Sequence, residues 1–141
     1  MVELKHQIPI DAAPDKVYAA LATPAGLRGW WTADVRADTK VGGEAEFGFD
    51  RRGMVFRMEI KKLDPGRQVV WCCRGDHPEW DGTTLTWNMD READATALRF
   101  THAGWKSMTD FCSTCNSTWG ELMFRLKAHV EGRNPGPHWK A

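Results

Sequence analysis

The sequence predicts an α+β domain in which a curved antiparallel sheet of about six strands wraps around one long carboxy-terminal helix, with two short helices after the first strand. Two patterns carry that expectation. Apolar and polar residues alternate with period two through the middle of the chain, between Ala45 and His102. A single apolar stripe at spacings of three and four then runs from Phe111 to Val130. A sheet with one apolar face and a helix with one apolar stripe must each bury that surface, and they do so against each other.

Val2 to Ile10 mixes branched and polar residues and reads as the first strand. Pro14 suits the first turn of a helix through Val17, Tyr18 and Leu21, because its missing N–H would be unpaired there anyway. Pro24 to Trp31 reads as a second, shorter helical turn interrupted by Gly26 and Gly29. Alternation then takes over. Ala45, Phe47 and Phe49 share one face, as do Met54, Phe56, Met58 and Ile60; QVVWCC follows the turn at Pro65-Gly66. Leu85, Trp87 and Met89 form the next apolar face, and Leu98, Phe100 and His102 the last. Turn-forming sequences separate these runs, which predicts an antiparallel meander. The long helix is expected over about Asp110 to Glu131, with a capping box from Ser107 to Asp110 and Gly132 as its stop. Residues 1–132 are thus expected as one domain, and 133–141 as an irregular tail rich in proline and glycine.

Composition narrows the partners. The chain has 141 residues, enough for one core. Nineteen Lys plus Arg balance nineteen Asp plus Glu, which leaves no electrostatic footprint for nucleic acid or an anionic membrane. No run approaches the ~20 apolar residues of a membrane helix, and the amino terminus lacks the layout of a signal peptide. The cytoplasm is the expected compartment, where the four cysteines stay reduced. Eight tryptophans against one tyrosine is the compositional oddity. So many large stiff rings suit either a roomy core or a ligand cavity.

The segments DAAPDKVYAALATPAGLRGWW, KVGGEAEFGF, EIKKLDPGRQVVW, TTLTW, FTHAGW and the closing WGELMFRLKAHVEG follow one another along nearly the whole chain. Together they resemble the START-like superfamily (SRPBCC), whose members share the helix-grip fold. Within it the chain is most similar to the bacterial branch of homologues of the heat-shock-protein ATPase activator. The resemblance implies the fold directly; for function it implies a choice, because the superfamily hosts carriers, receptors, cyclases and interaction modules. The chain departs from the branch at Cys72-Cys73, where the strand often ends in an aromatic residue.

The pair Cys112 and Cys115 falls on one face of the long helix, and the favoured reading is two small apolar residues in a cavity wall. Two weaker readings are a thiolate at Cys112, favoured by the helix dipole, and a zinc site built from Cys73, His102, Cys112 and Cys115. His102, in phase with Leu98 and Phe100, is expected inside and tied to a carbonyl or hydroxyl. Glu44, Glu46 and Glu59 lie on the polar phase of their strands, as a solvated face would. Of Trp30 and Trp31, one ring is expected in the core and the other at the mouth of a pocket, with Trp80 as a cap or contact.

The sequence therefore favours a non-catalytic carrier or sensor that binds a small apolar or aromatic molecule between helix and sheet. The expected lining is Phe47, Phe56, Met58, Trp71, Trp87, Phe100, His102, Cys115, Trp119 and Met123. No catalytic residue, metal or cofactor is assigned. The alternative is an interaction module, resembling the chaperone activator or forming a homodimer, with Trp30, Trp80 and Trp139 in its contact patch. A third reading is a cyclase- or hydratase-type enzyme, for which His102 with Asp110 or Tyr18 is the best available set.

Overall fold

The computed structural model describes residues 1–140. Strand β1 (Val2–Ile10) leads into helices α1 (Pro14–Ala22) and α2 (Pro24–Arg28). Strands β2 (Asp34–Ala37), β3 (Glu44–Phe49), β4 (Met54–Asp64), β5 (Gln68–Arg74), β6 (Thr84–Glu92) and β7 (Ala95–Trp105) follow, and helix α3 (Asp110–Val130) closes the fold. All seven strands join one antiparallel sheet in the order β1-β7-β6-β5-β4-β3-β2. The sheet curves around α3, which is the helix-grip arrangement.

The expected six strands become seven because β2 was not legible. Its four residues, DVRA, hold a single buried apolar side chain, Val35, which faces Phe47 across the ladder. Four residues are too few to show a period. Strands β4 and β7 also run longer than their alternation suggested, and each carries an irregularity that bends the sheet. The β4–β5 register shifts between Ile60 and Lys62. At the other end β7 inserts Gly104, so that Val2 faces Trp105 while Glu3 faces Ala103. Gly104 sits at φ +94°, a left-handed conformation that only glycine adopts freely.

Helix ends follow local chemistry. Pro14 and Pro24 each occupy a first turn. The Thr23 hydroxyl accepts from the Gly26 N–H at 3.0 Å and donates to the Ala19 carbonyl at 2.7 Å, so it caps α2 while tying it to α1. For α3 the cap is Thr109 rather than the expected Ser107: its hydroxyl accepts from the Cys112 N–H at 3.1 Å. Gly132, at φ +85°, ends the helix, and the Arg133 N–H reaches back to the Ala128 carbonyl at 2.8 Å.

Between α3 and the sheet the interior is mostly indole and phenyl. Trp30, Trp31, Trp71, Trp87, Trp105 and Trp119 are all essentially buried, with Phe47, Phe100 and Met58 among them. Trp31 is stacked on Phe47 with centroids 4.3 Å apart, and Phe100 meets Trp119 at 4.5 Å. Such contacts add to the area these rings bury.

The closeness of α1 and α2 gives a test. A Cβ at Gly26 would lie 2.3 Å from the Ala19 carbonyl oxygen and 2.7 Å from the Ala20 Cα, both backbone atoms that cannot rotate away. Gly26→Ala is expected to destabilise the protein by about 1–3 kcal/mol in chemical denaturation, although alanine is the better helix former. A neutral or stabilising result would show that the two helices are not in this contact.

Candidate ligand cavity

The aromatic interior does not fill the hollow of the sheet to its end. A cavity of about 230 Å³ remains between the amino-terminal half of α3 and the β3–β4 hairpin. Helix α3 contributes Phe111, Thr114, Cys115, Thr118, Trp119 and Leu122, which recur every three or four residues along one side. The β3–β4 hairpin contributes Phe49, Met54 and Phe56, whose alternate positions face inward. Trp31, Trp80 and Trp139 complete the wall. All twelve side chains are uncharged.

Trp80 is the central plate of this wall. Its ring is stacked on Phe56 with centroids 4.3 Å apart and planes 16° apart, and it runs parallel to Trp119 at 6.0 Å. Behind it runs a directed chain of hydrogen bonds. The Trp119 indole can only donate, so its N–H to His102 Nδ1, at 3.1 Å, makes that nitrogen the acceptor. The proton of the neutral ring therefore sits on Nε2, which lies 2.9 Å from the Thr83 hydroxyl and donates to it. Thr83 in turn donates to the Trp80 carbonyl at 2.6 Å. Burial without a charged partner pushes the His102 pKa down to about 3. His102 is thus a satisfied internal residue bonded to a hydroxyl, as its phase on β7 predicts.

The tail supplies the remaining wall. Residues 133–140 form no helix or strand, yet they are docked. The Arg125 guanidinium donates to the carbonyls of Pro135 and Gly136 at 2.8 and 2.6 Å, and His138 Nε2 lies 2.9 Å from Glu121. Trp139 exchanges backbone hydrogen bonds with the segment at Trp31–Ala33 and sets its ring edge-on to Phe49 at 4.9 Å. At the hairpin, Arg52 joins Asp34 of β2 to Glu46 of β3 at 2.9 and 2.6 Å, holding the two strands beside the cavity.

Of the ten residues expected to line the site, Phe56, Cys115 and Trp119 border the cavity. Phe47, Met58, Trp71, Trp87, Phe100, His102 and Met123 lie behind it, packed together in the core. The reason is the pair Trp30 and Trp31. Both rings are buried, and they fill the middle of the hollow where the open space was expected, displacing it toward β3 and β4. Phe49 and Met54 were in the right phase on their strands, and Phe111 and Leu122 in the helical stripe. Trp80 was singled out as an entrance residue. Trp139 was expected in an exposed contact patch, and nothing in RNPGPHWKA indicates that it docks against Phe49 on the cavity wall.

The cysteine pair divides. Cys115 borders the cavity, and burial raises its pKa to about 11, partly offset by the nearby Trp80 indole. Cys112 is fully buried, and desolvation together with the nearby Glu79 carboxylate raises its pKa, which disfavours the thiolate. The zinc set does not assemble either. Among the described residues no three metal-ligating side chains converge, and His102 has both nitrogens engaged. Trp30 and Trp80 are buried and Trp139 is half-buried against the core, so these three cannot form the exposed contact patch expected of them. The set proposed for catalysis also fails to gather, since Tyr18 has Asp64 as its charged neighbour and Asp110 is exposed.

Comparison with known proteins agrees with this architecture. The family described as Activator of Hsp90 ATPase homolog 1-like protein matches residues 11–131, and the chain belongs to that family. It is similar to the Aha1 dimer from Colwellia psychrerythraea, at 36% identity and a TM-score of 0.85 over 94% of this chain and 98% of that one. Protein MLL2253 from Mesorhizobium loti shares 18% identity, with a TM-score of 0.81 over 92% and 97% of the two chains. CalU16 from Micromonospora echinospora shares 19%, with a TM-score of 0.78 over 96% and 69%. These last two show the fold alone. A search of curated proteins finds no match. No helix among the described residues is long and apolar enough to cross a membrane.

The His102 chain predicts a pH dependence. The unfolded chain takes up a proton near the ordinary histidine value of 6.5, while folded His102 resists down to about 3. The contribution is therefore fully present above pH 6.5 and is lost as the pH falls below it, by up to about 1.4 kcal/mol per unit. In His102→Gln the decline in unfolding free energy between pH 6.5 and 5 should be shallower. His129, also lowered by burial, adds a component of the same sign to both proteins. Equal slopes would mean that His102 is not held neutral.

Proposed function

We propose that this protein binds a small, uncharged apolar or aromatic molecule in the cavity between α3 and the concave face of the sheet, as a carrier or sensor that performs no chemistry. The observation that carries this reading is the cavity's lining: aromatic, methionine, leucine, cysteine and threonine side chains with no charge among them. A wall of this kind favours apolar surface and offers no carboxylate, imidazole or ammonium to move a proton. Size sets the guest. An apolar cavity of about 150 Å³ accommodates benzene. By proportion, 230 Å³ suits a guest of about ten non-hydrogen atoms, the size of two fused six-membered rings.

Naphthalene is the corresponding probe. Its addition should raise the melting temperature, because a ligand that binds only the folded state stabilises it, by about 2.7 kcal/mol at a hundredfold excess over Kd. Thr118→Phe places a ring in the cavity from the half-buried side of α3 and should abolish that rise. No stabilisation of the natural sequence by naphthalene or its relatives would end the carrier reading.

A second reading rests on a separate observation. The solved structure 36% identical to this chain is described as a dimer, and this chain exposes Phe124 on the outer side of α3, at 67% of its surface. A second copy of the chain is the partner that fits these two facts, with the interaction role that the family's description carries as its extension. Sedimentation velocity is expected to show a concentration-dependent dimer that Phe124→Glu dissociates. A monomer throughout the micromolar range would remove this reading and leave the cavity unaffected.

A further inference from the structure

Nine of the twelve side chains around the cavity belong to α3 or to the β3–β4 hairpin, and Trp31 and Trp80 are buried. Trp139 differs from all of these: it lies outside every helix and strand and is half-buried. A few fasteners hold its segment. Arg125 of α3 donates to the Pro135 and Gly136 carbonyls, and His138 Nε2 meets Glu121 of the same helix. The Trp139 N–H donates to the Trp31 carbonyl at 3.1 Å, and the Ala33 N–H donates to the Trp139 carbonyl at 2.9 Å. The Glu121 side chain is 67% exposed, so water screens its contact with His138. Docking also carries a penalty. Among the described residues, Arg125 Nε and His138 Nδ1 are buried without a hydrogen-bond partner, and both belong to the fasteners themselves. Lifting the segment away lets water satisfy them. Few bonds set against such a penalty place residues 133–140 at the low-stability end of the molecule, where local opening occurs.

We infer that residues 133–140 form a strap that opens and closes the cavity: the Trp139 ring leaves Phe49 to admit the guest and returns to enclose it. The inference rests on the cavity reading and adds the route of entry. Arg125 and Glu121 are the catches on α3. Trp139 is a wall only while the strap is docked, so a guest that touches its ring stabilises docking. Docking strengthens the guest's hold by the same factor. Neither catch borders the cavity. Loosening one therefore changes how often the strap opens and not what the guest touches. Entry and escape then quicken together, and the affinity stays where it was.

The test uses naphthalene and the full chain. Arg125→Lys keeps the charge and loses the fork. In this variant stopped-flow fluorescence should show association and dissociation both about three- to tenfold faster, with Kd unchanged, since one net hydrogen bond is worth about that factor. A fixed wall predicts the same rates in both proteins. A measurement on the natural sequence does not depend on how the variant folds. The Ala33 and Trp139 amides should exchange with deuterium about tenfold or more faster than the Trp87 amide of β6, and naphthalene should slow them. Unaltered rates in the variant, or two amides as protected as that of Trp87, would overturn this inference and leave the cavity reading standing. Failure of naphthalene to bind would defeat both.

Discussion

The contact on which the rest depends is the Trp119 indole donating to His102. It joins the long helix to the middle of the sheet by a bond that works in one direction only. Because indole cannot accept, it forces the tautomer of His102, and that tautomer passes the direction on through Thr83 to the Trp80 carbonyl. A polar chain of this kind in an aromatic interior is stable only when every member is satisfied. Here each is, so two distant segments, the helix and the β5–β6 loop, are set against each other with their indoles parallel at 6.0 Å. The spacing of those two plates shapes one side of the cavity.

The same rings explain why space remains. Tryptophan is large and has few rotamers, so an interior built from it packs in slabs rather than flowing into gaps. Trp30 and Trp31 occupy the centre, and the slabs beyond them are pinned by stacking: Trp80 on Phe56, and Trp139 edge-on to Phe49. None can collapse into the opening without giving up a contact elsewhere. Arg52 at the hairpin and Arg125 under the tail hold the backbone on either side, each through paired or doubled hydrogen bonds to fixed acceptors.

What the sequence shows and what it hides follow from the range of the interactions. Periods of two and of three to four are local, and they located five strands of the meander, the first strand and α3 within a few residues. Strand β2 escaped because its pairing with β3, rather than its own four residues, defines it. The phase of His102 on β7 placed it inside with a hydroxyl partner, again a local inference. The cavity depended on how far Trp30 and Trp31 reach across the hollow, which no spacing encodes. Seven of the ten expected lining residues were therefore assigned to the correct face but lie in its packed part. Trp139 shows the limit most clearly, because its position is set by Arg125 and Glu121, which hold the tail around it, and by the backbone of residues 31–33, all remote in sequence.

One consequence joins the core to the site. Protonating His102 would place a charge among indoles and remove the acceptor that Trp119 requires, so the chain that sets Trp80 would break at its first link. With the pKa held down to about 3, that event lies far from neutrality, and the plates keep their spacing across the ordinary pH range. The histidine thus acts as a rigid spacer rather than a switch or a base. A cavity walled in this way is preorganised, and little ordering would be left to oppose the entry of a flat guest.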